Sequence, residues 1–296
     1  MRSRSVLLLA ALLACASPRV SRAEDILHTE RSLYRQIVVY QEGSVRCMRF
    51  TRLASARQSC VDLADRPRLV FEYLRMMIGA LYLAPAPQSV LVIGLGGGTL
   101  VDALQRTLPD AAVDAVELDP AVVRVAKAYF DFQPGPRTHV HEEDGRVFVK
   151  RALRAGRRYD LVMLDAYDHE YIPEHMLTRE FLEEVKGILA PHGVVAANTF
   201  SGSRLYDHES ATYAAVFGRF FNLKRSNRVI LLRKDGLPDT QTLRANADTL
   251  RPKLGPTGID PAWLLSLFDT RVDWPADARV LTDRYSPSNL LNASPP

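Results

Sequence analysis

The sequence predicts an α/β fold: a doubly wound, mostly parallel sheet with a small N-terminal β appendage. Two observations predict it. A strand-like apolar run, 89–93, breaks into a glycine-rich turn between Gly94 and Gly98, after which a helical segment begins. A second apolar run ends on Glu117, nineteen residues after Gly98, and strand-like and helix-like segments alternate from there to residue 232. This order is typical of a parallel sheet with right-handed crossovers.

The individual elements follow from local patterns. Short runs rich in Val, Ile and Leu predict strands, and apolar residues at helical spacing predict helices. Asp119 and Pro120 mark a helix start, because Asp caps a helix and Pro fits its first position. The predicted strands are 90–93, 112–117, 138–141, 159–164, 193–197 and one or two within 221–232; the predicted helices are 69–83, 99–108, 120–130, 145–155 and 178–189.

The chain divides into four predicted segments. Residues 1–23 are a predicted signal peptide and 24–68 a predicted β-hairpin appendage, in which strands 36–40 and 45–50 flank a turn. Residues 69–234 form the predicted main domain. Residues 235–296 are Pro-rich and poorly periodic, so they are predicted to be a tail packed on that domain.

The N-terminal segment resembles an export signal. Arg2 and Arg4 precede an apolar run at 6–16, and Ser-Arg-Ala at 21–23 is a candidate cleavage site. The run is too short to span a membrane. The residues before Cys15 also resemble a lipoprotein signal, so a lipid anchor at Cys15 is one alternative and a cytoplasmic protein with a mis-assigned start is another. We expect an exported protein, either periplasmic or lipid-anchored.

Charge gives no support to nucleic-acid binding. The chain has 38 Lys and Arg and 34 Asp and Glu, but four of the arginines lie in 1–23, which has no acidic residue. The rest of the chain is therefore neutral and lacks the basic balance typical of proteins that bind nucleic acid. Beyond the leader, Cys47 and Cys60 either form one disulfide or are two small buried apolar residues.

Carboxylates follow three of the predicted strands at the point where each strand ends. Glu117 ends one strand, Asp144 and Gly145 follow the next, and Asp165 with Asp168 follow the fourth. Because the carboxyl ends of parallel strands meet at one crevice, we expect these residues to line a ligand site. The alternative for an acid in such a place is a helix N-cap.

The glycine loop indicates what kind of ligand this is. A dinucleotide fingerprint has a third glycine where Thr99 stands, and its pyrophosphate contacts the helix N-terminus. A nucleoside without phosphates instead needs one acid for the ribose hydroxyls and a second for the adenine amine. Glu117 and Asp144 fit these two tasks, so the sequence favours an S-adenosylmethionine-type ligand over NAD.

Several segments together resemble one known family. They are ERSLY at 30–34, VIGLGGG at 92–98, VELD at 116–119, EDG at 143–145 and YDLVMLDAYD at 159–168. These motifs are similar to those of the spermidine synthase (polyamine aminopropyltransferase) family, above all its divergent bacterial spermidine-synthase-like branch. The resemblance covers 30–234 in order, and LTDRYSP at 281–287 is similar to a segment of the same relatives. It implies the Rossmann-like fold of S-adenosylmethionine-dependent methyltransferases.

The resemblance also implies an activity and a role for each residue. The activity is transfer of an aminopropyl group from decarboxylated S-adenosylmethionine to an amine such as putrescine, with Asp165 as proton acceptor and without a metal. Asp168 and Glu72 would hold the amine. The nucleoside would be held by Gly94, Gly96, Gly98, Glu117, Asp144 and Gly145. The oligomeric state stays open, with a homodimer as one expectation.

The residue types fit this reaction. An alkyl amine has a pKa near ~10.4 and is protonated at neutral pH, so it needs a base before it can attack. A carboxylate beside the amine attracts the cation and accepts its proton. The electrophilic carbon is already activated by its sulfonium neighbour, so the protein mainly aligns the reactants.

The sequence departs from the family pattern where the amine is expected to bind. Gly97 stands in place of an acid of the glycine loop, Arg35 in place of a Gln, residues 70–71 (Val-Phe) in place of Tyr-His before Glu72, and Asn198 in place of another Gln. Two alternatives therefore remain: a methyltransferase that uses intact S-adenosylmethionine, whose carboxylate Arg35 would bind, and a non-catalytic nucleoside- or polyamine-binding protein.

The histidines are interpreted without a metal. His139 and His141 share one face of a strand but have no cysteine or third histidine nearby, so we interpret them as surface residues. His175 follows the Asp165 segment and is interpreted as part of a lid over the site.

Overall fold

The computed structural model describes residues 24–51, 57–166, 173–200, 202 and 205–292. These residues form two sheets, an N-terminal sheet of four strands and a main sheet of seven. The predicted leader at 1–23, with Cys15, and the predicted amine ligand Asp168 lie outside the described residues.

The N-terminal sheet is antiparallel, in the order β1-β2-β3-β4. The predicted hairpin corresponds to β2 and β3, so the appendage has two more strands than predicted. The other two strands are polar runs, and β1 is largely exposed, so neither shows clear apolar alternation. The four strands are Asp25–Arg31, Gln36–Glu42, Val45–Arg49 and Arg57–Asp62.

Cys47 and Cys60 form a disulfide between β3 and β4, where they face each other in register. Both side chains are buried in a small cluster with Tyr40. The sequence left this pairing open because two cysteines thirteen residues apart are compatible with either state. The strand register brings them together.

The main sheet has the order β10-β11-β9-β8-β5-β6-β7. Strands β5 to β9 are parallel, and β11 and β10 add to the β9 edge as antiparallel strands. The predicted doubly wound, mostly parallel sheet is confirmed. Its strands in chain order are Ser89–Ile93, Ala112–Glu117, Thr138–Glu142, Tyr159–Leu164, Leu189–Phe200, Phe221–Lys224 and Asn227–Arg233.

Helices pack on both faces of this sheet and form two large buried apolar clusters with it. Asp119 caps α3 as predicted, accepting the backbone N–H of Ala121. The helices α1 to α9 are Glu72–Ile78, Thr99–Thr107, Pro120–Tyr129, Gly145–Arg154, Arg179–Ile188, Leu205–Phe217, Thr240–Leu254, Pro261–Ser266 and Ser288–Asn292. Among the described residues, no helix has the length and apolar character needed to cross a membrane.

Two helical regions escaped the sequence patterns. The C-terminal tail contains α7, α8 and α9 rather than irregular chain; the apolar positions of α7 are sparse, and Pro252 lies inside it. Helix α6 was also missed, because its buried face includes Glu209, Ser210 and Thr212 and so lacks an apolar stripe. Tertiary contacts stabilise both regions.

Candidate active site

A cavity of about 410 Å³ lies at the carboxyl ends of the parallel strands β5, β6 and β8. This is where the strand-end carboxylates were expected to converge. Six of the predicted site residues line it: Gly94, Gly96, Glu117, Asp144, Gly145 and Asp165.

The glycine loop needs glycine for two different reasons. Gly94 has φ +99°, and a Cβ there would lie 2.1 Å from the backbone oxygen of Asp165, so only glycine lets the two strand ends approach. Gly98 has φ +81° and packs against Phe132, where a Cβ would lie 2.4 Å from the ring. Gly94 therefore shapes the cavity, and Gly98 sets the turn into α2.

Glu117 is fixed beneath the loop at the end of β6. One carboxylate oxygen accepts the backbone N–H of Leu95 and the other that of Asp119, both at 3.1 Å. Burial raises the pKa of Glu117, while these backbone hydrogen bonds oppose the rise. A carboxylate has about four acceptor positions, so this one keeps capacity for two ribose hydroxyls.

Asp144 caps a helix and also lines the cavity, so being an N-cap does not exclude it from the predicted ligand site. Its Oδ1 accepts the backbone N–H of Val147 at 3.0 Å and caps α4. Its Oδ2 lies 2.9 Å from His175 Nε2, and the hydrogen bond from His175 lowers the pKa of Asp144. His175 lines the cavity itself. The predicted lid residue is thus a direct partner of Asp144.

Asp165 directly follows β8 and lines the cavity between two side-chain donors. The Tyr73 hydroxyl donates to Oδ2 at 3.3 Å, and Asn198 Nδ2 donates to Oδ1 at 2.9 Å. The Asn198 oxygen in turn accepts from Asn227 Nδ2 at 3.1 Å. Burial raises the pKa of Asp165 to about 7, and the two hydrogen bonds oppose that rise. A carboxyl group with this pKa can act as a general base near neutral pH.

Sequence reasoning missed Tyr73 and Asn227. Tyr73 lies on α1, before the sheet begins, and burial raises its pKa well above the usual range, so it remains a hydrogen-bond donor. Asn227 starts β11, which reaches the site only because it pairs antiparallel with β9. No local motif marks either residue, since both are brought to Asp165 by packing.

Of the two predicted amine ligands, only Glu72 lies within the described residues, and it does not line the cavity. Glu72 begins α1, but its carboxylate is 3.8 Å from Arg225 Nε and is absent from the described cavity lining. Arg35 does line the cavity, with its guanidinium 4.2 Å above the Phe50 ring, and Arg57 lines it as well.

Gly97, where the family resemblance implies an acid, has little room for a side chain. Its N–H donates to Ser59 Oγ at 3.0 Å. A Cβ at this position would lie 2.8 Å from both Ser59 Oγ and the ring of Phe130. The N-terminal sheet therefore closes over this part of the glycine loop.

Of the two strand histidines, His139 is exposed and His141 has structural partners. His141 Nε2 lies 2.7 Å from Asp114 Oδ1, and its ring packs against Phe148. Across the described part of the chain, no group of three or more His, Cys, Asp or Glu residues is arranged to hold a metal ion.

Comparison with known proteins identifies the family. Residues 70–232 match the spermine/spermidine synthase domain. A polyamine aminopropyltransferase of Vibrio vulnificus is 46% identical over 293 residues, which is 97% of this chain and 98% of that protein. The chain belongs to the spermine/spermidine synthase family. The resemblance inferred from the motifs is confirmed. The relatives of the chain are named polyamine aminopropyltransferases, so the chain is a transferase.

Solved structures agree on the fold. A probable spermidine synthase from Corynebacterium glutamicum has a TM-score of 0.64 and 19% identity, covering 86% of this chain and 96% of its own. Human methyltransferase-like protein 13 in complex with SAH has a TM-score of 0.57 and 29% identity, covering 66% of this chain and 98% of its own. Both the synthase and the methyltransferase share this Rossmann-like architecture.

Proposed function

We propose that this chain transfers an aminopropyl group from decarboxylated S-adenosylmethionine to an amine, with Asp165 as the proton acceptor. The observation that carries the proposal is the position of Asp165. Its carboxyl group, with a pKa of about 7, shares one cavity with Glu117 and Asp144. A base for the amine and two acids for a nucleoside therefore contact the same space.

The nucleoside binds along the β5 and β6 ends. Glu117 accepts hydrogen bonds from the ribose hydroxyls, and Asp144, with the adjacent Gly145, binds the adenine amine. A Cβ at Gly145 would lie 2.5 Å from the Ile93 side chain, so glycine keeps this wall close to the sheet. The sulfonium then lies toward the carboxyl end of β8, which Asp165 directly follows.

Aminopropyl transfer needs no reactant other than the donor and the amine. The amine nitrogen attacks the aminopropyl carbon bonded to sulfur, a C–N bond forms, and the C–S bond breaks with its electron pair moving to sulfur. The products are the extended amine and the neutral thioether 5′-methylthioadenosine, and the proton lost from nitrogen passes to Asp165. A bound cationic amine favours the ionised carboxylate, which lowers the pKa of Asp165 and prepares it as a base.

Methyl transfer from intact S-adenosylmethionine is the second candidate. Arg35 in the cavity favours it, because a guanidinium recognises a carboxylate that the decarboxylated donor lacks. Arg57 also lines the cavity, but it already pairs with Glu42 at 2.8 Å. The human relative bound to SAH shares 29% of its aligned sequence with this chain.

One experiment separates these candidates. The purified full chain is incubated with S-adenosylmethionine or its decarboxylated form and a panel of mono- and diamines, and the products are analysed by mass spectrometry. An aminopropyl adduct together with methylthioadenosine supports the proposal, and a methyl adduct supports the second candidate. Binding without any product indicates a non-catalytic binding protein and contradicts both.

We also propose that the protein is exported. The Cys47–Cys60 disulfide supports this, because structural disulfides persist mainly in oxidising compartments, and the signal-like residues 1–23 agree with it. Fractionation with mass measurement of the mature chain tests the proposal: a chain beginning at Glu24 indicates cleavage, a lipid on Cys15 indicates anchoring, and a full-length cytoplasmic chain contradicts export.

A further inference from the structure

Arg146, the second residue of α4, has all its guanidinium N–H groups engaged. Two of them donate to the two oxygens of Glu184 on α5, both at 2.9 Å. Two more donate to the two oxygens of Asp283, at 2.6 and 2.8 Å, and the fifth donates to the backbone carbonyl of His175 at 3.0 Å. Since a guanidinium has five N–H donors, this one is saturated.

Asp283 belongs to the C-terminal segment 281–287, which lies beyond the matched synthase domain of 70–232. The segment is attached to the start of α5. Thr178 Oγ1 donates to Asp283 Oδ1 at 2.7 Å, and the Asp283 backbone N–H donates to Glu180 at 2.9 Å. The C-terminal segment is therefore held in one register on the main domain.

The same arginine adjoins the nucleoside end of the cavity. Asp144 and Gly145 directly precede it, and His175, whose carbonyl Arg146 binds, reaches Asp144 with its ring at 2.9 Å. Met176 packs on Gly145, with its Cε 3.3 Å from the position of a Cβ. The cavity is lined here by Asp144, Gly145, His175 and Met176. Arg146 supports this wall from behind.

The paired hydrogen bonds of Arg146 fix the positions of the acidic side chains that it contacts. Arg146 is only 6% exposed, and it holds Glu184 and Asp283 with two hydrogen bonds each. On the same helix, Arg151 pairs with Glu143 at an exposed position through a single contact. Exposed pairs of that type contribute little. The Arg146 guanidinium is buried, and although the Asp283 side chain is 43% exposed, its bidentate pairing fixes its position relative to Arg146.

We propose that Arg146 and Asp283 are positioning residues for the donor site, through which the C-terminal segment 281–287 fixes the wall that binds adenine. The wall consists of Asp144, Gly145, His175 and Met176. This inference rests on the proposed nucleoside site. Loosening the wall weakens nucleoside binding, while the chemical step at Asp165, on a different strand, proceeds as before once the donor is bound.

The test uses the full chain with Arg146→Lys, Asp283→Asn and Asp283→Glu. Calorimetry gives the Kd for 5′-methylthioadenosine, and steady-state kinetics give KM for the donor and kcat, all measured below the Tm of each variant. We expect Arg146→Lys and Asp283→Asn to raise Kd and donor KM by about tenfold or more. Their kcat stays within about twofold, and Asp283→Glu, which keeps the charge, recovers much of the affinity.

Arg151→Lys is the matched control, since it is the same substitution on the same helix at an exposed ion pair. It is expected to leave Kd and kcat unchanged. Variants with a lower Tm but wild-type Kd would show that the cluster only stabilises the fold, and this overturns the inference alone. A wild-type chain that binds no adenine nucleoside overturns the proposed function and the inference together.

Discussion

At the proposed nucleoside end of the cavity, Glu117 is held by backbone N–H groups of the glycine loop and of its own strand end. At the proposed amine end, Asp165 is held by side chains from α1 and β9, and a third side chain from β11 supports them. Backbone contacts follow from the strand–turn–helix geometry, so they survive sequence change. Side-chain contacts depend on each partner, so a change at any one of these residues alters how Asp165 is held.

Replacing the base is the largest perturbation of the amine end. We expect Asp165→Asn to lower kcat by about 10²–10⁴-fold, because a positioned general base contributes that much. The Kd for 5′-methylthioadenosine should stay unchanged, since the nucleoside contacts lie on other strands. Stopped assays with mass detection measure the first quantity and calorimetry the second.

The control is Asp160→Asn at the opposite end of the same strand, where Asp160 accepts hydrogen bonds from Gln88 and Ser89. It should change the free energy of unfolding and not kcat. Full turnover in Asp165→Asn would remove Asp165 from the mechanism.

Asp165 also links the stability of the fold to pH. Burial raises the pKa of Asp165 from 3.8 to about 7. Between pH 3.8 and about 7, the folded chain therefore holds a proton on Asp165 that the unfolded chain has released. Its contribution to stability is fully present below pH 4 and is lost as pH rises through 7, by at most about 4 kcal/mol. We therefore expect Asp165→Asn to raise the free energy of unfolding at pH 8 relative to wild type, and much less at pH 4.5. Urea unfolding of both chains at the two pH values checks this, and an equal difference at both would contradict the assigned pKa.

At the nucleoside end, Glu117→Gln tests the ribose contact. Hydrogen bonds to a charged group are worth about 1.5–3 kcal/mol, so we expect Kd for the nucleoside to rise by roughly ten- to a hundredfold. The matched control is Glu142→Gln, because Glu142 is the exposed register partner of Glu117 on β7. If both variants bind like wild type, Glu117 only supports the glycine loop.

The smallest effect is expected for Tyr73→Phe. The Tyr73 hydrogen bond lowers the pKa of Asp165, so its loss should move the acidic limb of the kcat/KM profile to higher pH by up to about one unit. The maximal rate should fall only a few-fold. Tyr82→Phe is the control, since the Tyr82 hydroxyl is buried without a hydrogen-bond partner among the described residues. An unshifted profile for Tyr73→Phe would place that hydroxyl outside the catalytic contact.

Sequence patterns predict the parallel sheet, the glycine loop and the strand-end acids, because each follows from residues that are close in the chain. Apolar runs that alternate with helical segments define strands β5 to β9. Parallel strands then bring Glu117, Asp144 and Asp165 to one edge of the sheet. The helix cap at Asp119 was predictable for the same reason.

Tertiary structure alone decided which side chains surround those acids. Tyr73, Asn227 and His175 come from separate elements, and Arg146 saturates its donors only because a segment 137 residues later folds back onto it. The Cys47–Cys60 bridge and the diversion of Glu72 to Arg225 likewise depend on register and packing. Local patterns encode backbone conformation, whereas contacts between distant side chains depend on how the finished elements pack.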